Sequence, residues 1–381
     1  MAIEISSGGV SKTYRYYPRD AFYVDAGGNV NTSGQGQQVR EAYFNGVKYY
    51  PEAAPTFKYI GKYVDTPRVY TGGYLNPKDT YYPNVTRCVY SEDSLSAQNM
   101  QYMGSHENGS LLPKELDLPI CTRIDSNVFI STALESIDIP LCTYIGQYAF
   151  KNCVSLKSVN APSATRLYKE AFRDCTSLSS INLAQCARLD EGALRGCTAL
   201  ESIDLPSCTT LENVALAESG LKSIYLPVCE TVAGLALCTS LTSADLPACT
   251  ALASNVFGNC TALTNVNVPN VETVYSAAFS ECTALGSISL PSCTVLKESV
   301  FSGCTSLASV NAPNVATVGE NAFRYCSALG SLSLPNCTKI PDYTFWNCTS
   351  FSSLTVKAGC SIGRYAFNNR GTTQGITINY I

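Results

Sequence analysis

Phe279-Ser-Glu-Cys282-Thr-Ala-Leu285-Gly-Ser-Ile288-Ser-Leu290-Pro291-Ser-Cys293-Thr-Val-Leu296 is one clean copy of a pattern that fills most of the chain. Its centre reads L-x-x-I-x-L. Ile288 and Leu290 flank a polar residue and stop at a proline, which is the period-two pattern of a strand closed by a residue that cannot donate to a ladder. The template predicts one short strand per copy. An apolar pair recurs on the other side of the copy, as Ala149-Phe150, Ala171-Phe172, Val256-Phe257, Ala278-Phe279, Val300-Phe301, Ala322-Phe323 and Ala366-Phe367. One Phe per copy is thereby assigned to the wide side of a coil.

Working outward, prolines stand at 119, 140, 162, 206, 227, 247, 269, 291, 313 and 335, about 22 residues apart, with Ala184 in the one vacant slot. A unit of that length cannot bury its apolar side alone, so a fixed period in this range predicts a solenoid in which each turn packs on its neighbours. Counting strand centres from Leu116 to Ile376-Thr-Ile378 gives thirteen rungs, a stack about 60 Å long at the usual strand spacing. The copies between 210 and 240 are the irregular ones: Leu235-Ala-Leu237 stands where others have Ala-Phe, and Pro247 follows Pro227 by only 20 residues. A local change of curvature is expected there.

The 381 residues are 45% hydrophobic and 15% charged, with a net charge of -4. A chain of this kind can bury a large core, and it has no basic field to hold a nucleic-acid backbone. His106 is the only histidine, which removes most Ser-His, Cys-His and His-metal arrangements and argues against an enzyme. No apolar run approaches the roughly 18 residues of a membrane span. The N-terminus lacks the charged start and apolar stretch of a secretory signal.

The combination L-x-x-I-x-L-P-x-C with A-F-x-x-C-x-x-L closely resembles the BspA-type, or Treponema-type, leucine-rich repeat over roughly residues 111–381. The resemblance implies a right-handed leucine-rich-repeat solenoid with a parallel sheet on its concave face, found in bacterial surface proteins and adhesins that bind host or matrix proteins. It implies a surface or extracellular location, with a cytoplasmic or virion-associated one as the alternative for a chain without a visible secretory signal, and no cofactor is expected.

Composition changes near residue 110, since fifteen of the 24 tyrosines precede it and eighteen of the 19 cysteines follow it. Two units are expected: a Tyr-rich domain at 1–105 and the solenoid at 106–381. Tyr43-Phe-Asn45-Gly46-Val-Lys-Tyr49 predicts a hairpin, because Asn-Gly accepts the positive φ angles of a type I′ turn. Val24 to Val30 and Val69 to Tyr74 repeat that pattern around Gly-Gly, so the first unit reads as a small antiparallel β domain.

The cysteines fall into two columns. Cys121, Cys142, Cys186, Cys208, Cys229, Cys249, Cys293 and Cys337 lie two residues after the proline slot, with Ala164, Val271 and Val315 as alternates. Cys153, Cys175, Cys197, Cys238, Cys260, Cys282, Cys304, Cys326 and Cys348 precede the strand leucine by three. Apolar alternates point to buried, reduced thiols that pack as small hydrophobes, and the absence of any C-x-x-C argues against metal ligands; disulfides between column neighbours on adjacent rungs are the alternative.

The candidate binding face is the outward side of the predicted strands: Asp117, Asp138, Asn160, Asn182, Asp204, Tyr225, Asp245, Asn267, Ser289, Asn311 and Ser333. A column of serines, Ser136 through Ser331 with Asn265 among them, runs beside it. Two readings fit this face. It is either a flat hydrogen-bonding recognition groove, or a solvated ladder that recurs only because the repeat does. Tyr225 is the one large residue in its column and the first place to look for an anchor. Tyr16-Tyr17, Tyr49-Tyr50 and Tyr81-Tyr82 supply either an interface or cross-strand pairs. Trp346 belongs to the Phe side, as packing or as a partly exposed apolar spot. The sequence thus predicts a non-enzymatic scaffold that binds a protein or glycan partner, host extracellular or a component of an assembly. The alternative is a structural or receptor-binding part of a phage particle.

Overall fold

The computed structural model describes residues 114–118, 121–367 and 375–381, and the backbone of eight short strands between residues 2 and 95. Over the repeats the chain winds into a parallel β-solenoid of about twelve turns. Twelve three- or four-residue strands lie on its first side, from Glu115–Asp117 to Thr377–Tyr380. They pair in parallel and in register within four sheets, which break after Ser180–Asn182, Asn265–Asn267 and Ser309–Asn311: Ser287, Ile288 and Ser289 oppose Ser309, Val310 and Asn311. The central residue of each is the inward one, as with Ile137, Ile224 and Ile288.

Each turn contributes two strands rather than the single one expected. After the proline corner, the Thr294 N–H donates to the Glu272 carbonyl of the preceding turn at 2.9 Å, and Val295–Leu296 then pairs in parallel with Thr273–Val274 and Thr317–Val318. Such two-residue strands form an unbroken second ladder from Ser94–Leu95 to Thr317–Val318. With one inward residue apiece they are too short to show a period in the sequence.

The third side carries the phenylalanines and consists of turns. Two residues with positive φ bracket each Phe at a distance of two, such as Ser299 (φ 58) and Gly303 (φ 78) around Phe301, or Asn321 (φ 58) and Tyr325 (φ 62) around Phe323. They swing the chain so that the Phe N–H reaches the next turn: Phe301 N–H donates to the Ala322 carbonyl at 2.8 Å. Inside, the rings stack in file. Phe129, Phe150 and Phe172 lie 4.8 and 4.7 Å apart, and Phe257, Phe279, Phe301, Phe323 and Phe345 follow at 5.3 to 5.5 Å. All eight are fully buried.

Between these two files, Leu194, Leu216 and Leu235 take the ring position, and all are buried. In the same region the first ladder is interrupted. Ser202-Ile203-Asp204 forms no strand and Ile203 is only partly buried, while the second ladder runs on through Thr210–Leu211. The fifth of the thirteen expected rungs is thus a turn without its strand. The last strand also differs from expectation. It spans Thr377–Tyr380, with Ile378 rather than Ile376 beside Leu354, because the final turn is two residues longer than the template.

A self-contained antiparallel domain over 1–105 is not supported. Val85–Tyr90 pairs in parallel with Glu115–Asp117, and Ser94–Leu95 pairs in parallel with Arg123–Ile124, so both ladders begin upstream of residue 105. The hairpin expected at Tyr43–Tyr49, the three tyrosine pairs and His106 lie outside the described residues.

Candidate functional site

The first ladder turns its polar residues outward as predicted. Asn160, Asn182, Asp204, Tyr225, Asn267, Ser289, Asn311 and Ser333 are exposed, and Asp117, Asp138 and Asp245 are half-buried. Neighbouring turns bring these side chains within hydrogen-bonding distance along the stack. The Asn160 amide donates to Asp138 Oδ1 at 2.8 Å, and the Asn182 amide donates to Asn160 Oδ1 at 2.9 Å. Asn267 donates likewise to Asp245 at 2.8 Å, and Asn311 to Ser289 Oγ at 3.1 Å. An asparagine works in such a ladder because it both donates and accepts, whereas an aspartate can only start one.

The break at Ile203 divides this face. Below it, Glu115, Asp117, Asp138, Asn160, Asn182 and the serines between them line a shallow groove of about 490 Å³. Beyond it, Tyr225 stands 56% exposed at the first strand after the gap. At the flank of the groove the Lys114 and Lys157 ammonium groups both donate to Glu135, which holds its carboxyl down at about 2.

Among the described residues the thiols are buried, apart from the half-buried Cys348, and the two columns differ in what they touch. In the column after the proline, every sulfur donates to the carbonyl two residues ahead within its own turn, as Cys293 does to Val295 at 3.4 Å and Cys142 to Tyr144 at 3.2 Å. In the other column, every sulfur donates to a carbonyl one turn back, on the residue that holds the Phe position there. Cys282 reaches Phe257 at 3.1 Å and Cys304 reaches Phe279 at 3.0 Å. Where this second column lacks Cys it has Thr132 and Ser219, both buried, with hydroxyls 3.4 and 3.3 Å from the next sulfur. Hydroxyl alternates mark the second column as a hydrogen-bonding position, while Ala and Val mark the first as a packing position. Burial pushes the Cys186, Cys249 and Cys293 thiols up to about 11. Among the described residues no group of three or more His, Cys, Asp or Glu is placed to hold a metal ion, and no helix is long and apolar enough to cross a membrane.

Sequence reasoning missed the outward face of the second ladder. Arg123 lies over the Tyr144 ring at 3.8 Å, Tyr144 packs on Tyr168 at 4.5 Å, and Arg166 lies over Tyr168 at 4.3 Å. Asp190, nearly buried, accepts from both Arg166 and Arg188, and Arg188 continues to Glu212. The available signal was the recurrence Arg123-Ile, Arg166-Leu, Arg188-Leu at one register of the repeat.

Comparison with known proteins agrees with this architecture. Six copies of the BspA type leucine rich repeat region match over residues 122–237, 234–352 and 272–380. No curated protein matches the chain. Among solved structures, the chain is similar to the pneumococcal vaccine antigen PcpA at 16% identity, covering 82% of this chain and 80% of that one with a TM-score of 0.50. It is also similar to a leucine-rich repeat protein from Bacteroides ovatus at 21% identity, covering 65% and 88% with a TM-score of 0.34. A leucine rich cell surface protein from Faecalibacterium prausnitzii shares 18% identity over 77% of this chain and 90% of its own, with a TM-score of 0.40. Repeat pattern, two-ladder coil and family match coincide over the same residues, and the chain belongs to the BspA-type leucine-rich repeat family.

Proposed function

We propose that this chain is a non-enzymatic recognition scaffold whose first-ladder face binds a protein partner, in the manner of an adhesin. One observation supports the reading above others. The groove over Glu115, Asp138, Asn160 and Asn182 presents a continuous row of amide and carboxylate groups at strand spacing. That row offers hydrogen-bond donors and acceptors side by side to the polar groups of a partner segment laid along the stack. In this reading residues 1–105 form the head, whose strands cover the first turn, and 106–381 form the array. A solenoid needs such terminal cover to stay soluble.

The test is binding of the full chain to an immobilised panel of purified extracellular-matrix proteins, beside the double substitution Asn160→Arg with Asn182→Arg. Both side chains are exposed, so the variant should keep its circular dichroism and melting temperature while losing at least tenfold in affinity. Binding that survives the double substitution intact overturns the assignment of this face.

A further inference from the structure

A second surface lies on the Phe side of the last turns, where aromatic and basic side chains gather on consecutive turns. At the positions two before the buried Phe, the turns from Phe257 to Phe323 carry Asn255, Ala277, Ser299 and Asn321, but the last two described carry Tyr343 and Tyr365, where only Tyr148 among earlier turns has a tyrosine. Just after the Phe, Ser280 and Ser302 give way to Arg324, Tyr325 and Trp346, the place of Arg324 being a basic position that the early turns fill with Lys151, Arg173 and Arg195. These side chains form one patch. Tyr343 stacks on Tyr365 at 5.7 Å and meets Trp346 edge-on at 5.4 Å. Arg364 lies over the Tyr365 ring, and Arg324 lies over the Tyr325 ring and donates to its hydroxyl at 3.1 Å. Tyr325 and Tyr343 are 39% and 38% exposed although both have positive φ (62 and 59). The positive φ belongs to the turn geometry shared by the other Phe turns, and it is the exposed rings that set these two positions apart.

The cations of the patch also lack an ion-pair partner among the described residues. Every ion pair among the described residues lies between Lys114 and Lys222. Arg324 and Arg364 take part in none, and the buried Arg324 Nε has no hydrogen-bond partner. Asp342, on the same turns, turns its carboxylate to the Tyr365 backbone N–H at 3.2 Å. Two cations are therefore left without an acid on a chain whose net charge is -4.

We infer that the patch of Arg324, Tyr325, Tyr343, Trp346, Arg364 and Tyr365 is a second docking surface, built for an acidic segment of a partner protein. Trp, Tyr and Arg are the residues that dominate protein–protein hot spots. The rings already cover one another or lie under guanidinium groups, so they offer outward edges, and the edge of an aromatic ring is its electropositive part. Edges and guanidinium donors suit carboxylates. A sugar would instead require an open ring face. This surface is on a different side of the coil from the first-ladder groove and does not depend on that groove's role.

Trp346 is the only tryptophan in the chain, so its emission reports this site directly. Poly-L-glutamate is titrated into the full-length protein at low ionic strength, with poly-L-lysine and polygalacturonate as parallel probes. The expected result is a saturable change in Trp346 emission with poly-L-glutamate alone, weakened at least tenfold in Arg324→Gln with Arg364→Gln and unchanged in Asn160→Arg with Asn182→Arg. Arg364→Gln alone, on an exposed side chain, gives the same reading in smaller measure if the double variant fails to fold. No emission change, or one that the Arg substitutions leave intact, overturns the proposal. A response to polygalacturonate stronger than to poly-L-glutamate overturns it in favour of an acidic glycan.

Discussion

Residues 114–222 and 223–367 wind on the same template, yet they dress it in opposite ways. The first stretch covers itself with ion pairs and Arg–Tyr contacts, from Lys114–Glu135 through Arg166–Asp190 to Lys222–Glu201. The second has no ion pair among its described residues, and from Phe257 onward it runs one uninterrupted file of rings. The comparison separates what the coil demands from what it permits. Inward Leu, Ile, Phe and Cys are required in both stretches. Outward residues are free, and they differ accordingly.

The largest test asks whether both stretches truly share one interior. Cys186, Cys249 and Cys293 are held protonated in the fold, burial pushing each thiol up to about 11. In the unfolded chain they ionise near their ordinary value of about 8.5. A group whose folded pKa is raised contributes stability that is complete below the unfolded value and is lost as pH climbs towards the folded one. Each such thiol therefore costs about 1.4 kcal/mol per pH unit above about 8.5. Thermal melts at pH 8, 9 and 10 should fall steeply and together for Tyr and Trp signals. A flat profile would contradict the burial of the columns. Loss by only one signal would show that the stretches unfold as separate units.

Next in size is the ring file against its gap. Phe301→Ala should cost about 3–5 kcal/mol, and Leu216→Ala in the gap about 2–3 kcal/mol, as large-to-small core changes do. Denaturant unfolding of both variants checks the ranking. A reversed order would mean that the leucine turns pack more tightly than the stacked rings.

The smallest effect distinguishes the cysteine columns. Cys282 donates to the turn before it and Cys293 within its own turn. Replacement at 282 should be better tolerated as Ser than as Ala, and at 293 better as Ala than as Ser, each by about 1 kcal/mol. Equal tolerance at both sites would mean that the columns are interchangeable packing.

The inward positions of this fold were legible because Ile288, Leu290, Phe301 and the cysteines recur at fixed offsets and tertiary packing agrees with them. The second strand of each turn was not, since Val295–Leu296 supplies a single inward residue. The gap at Ile203 was hidden for another reason. Ser202-Ile203-Asp204-Leu205 is as good a strand sequence as Ser136-Ile137-Asp138-Ile139, and its fate is set by the shorter turns that follow, with Leu235 only 19 residues after Leu216. Of the candidate face, the exposure of the predicted residues followed from alternation, while the amide ladders needed the register between turns. The Arg–Tyr row was open to reading in the recurrence of Arg123, Arg166 and Arg188, whereas the patch around Trp346 was not, because repeat analysis attends to what recurs.

Stacking by whole turns makes length a quantised property of this molecule. Phe150, level with the Asn160 groove, and Phe345, at the Trp346 patch, are nine turns apart, or about 43 Å along the coil at one strand spacing per turn. Deleting one 22-residue copy, such as Phe279 through Val300, would leave every remaining contact of the same kind and bring the two surfaces closer by one step of about 4.8 Å. Duplication would move them apart by the same amount. The repeat is thus a ruler as well as a scaffold, and the distance between two attachments can drift by unequal crossing-over without any residue at either one having to change.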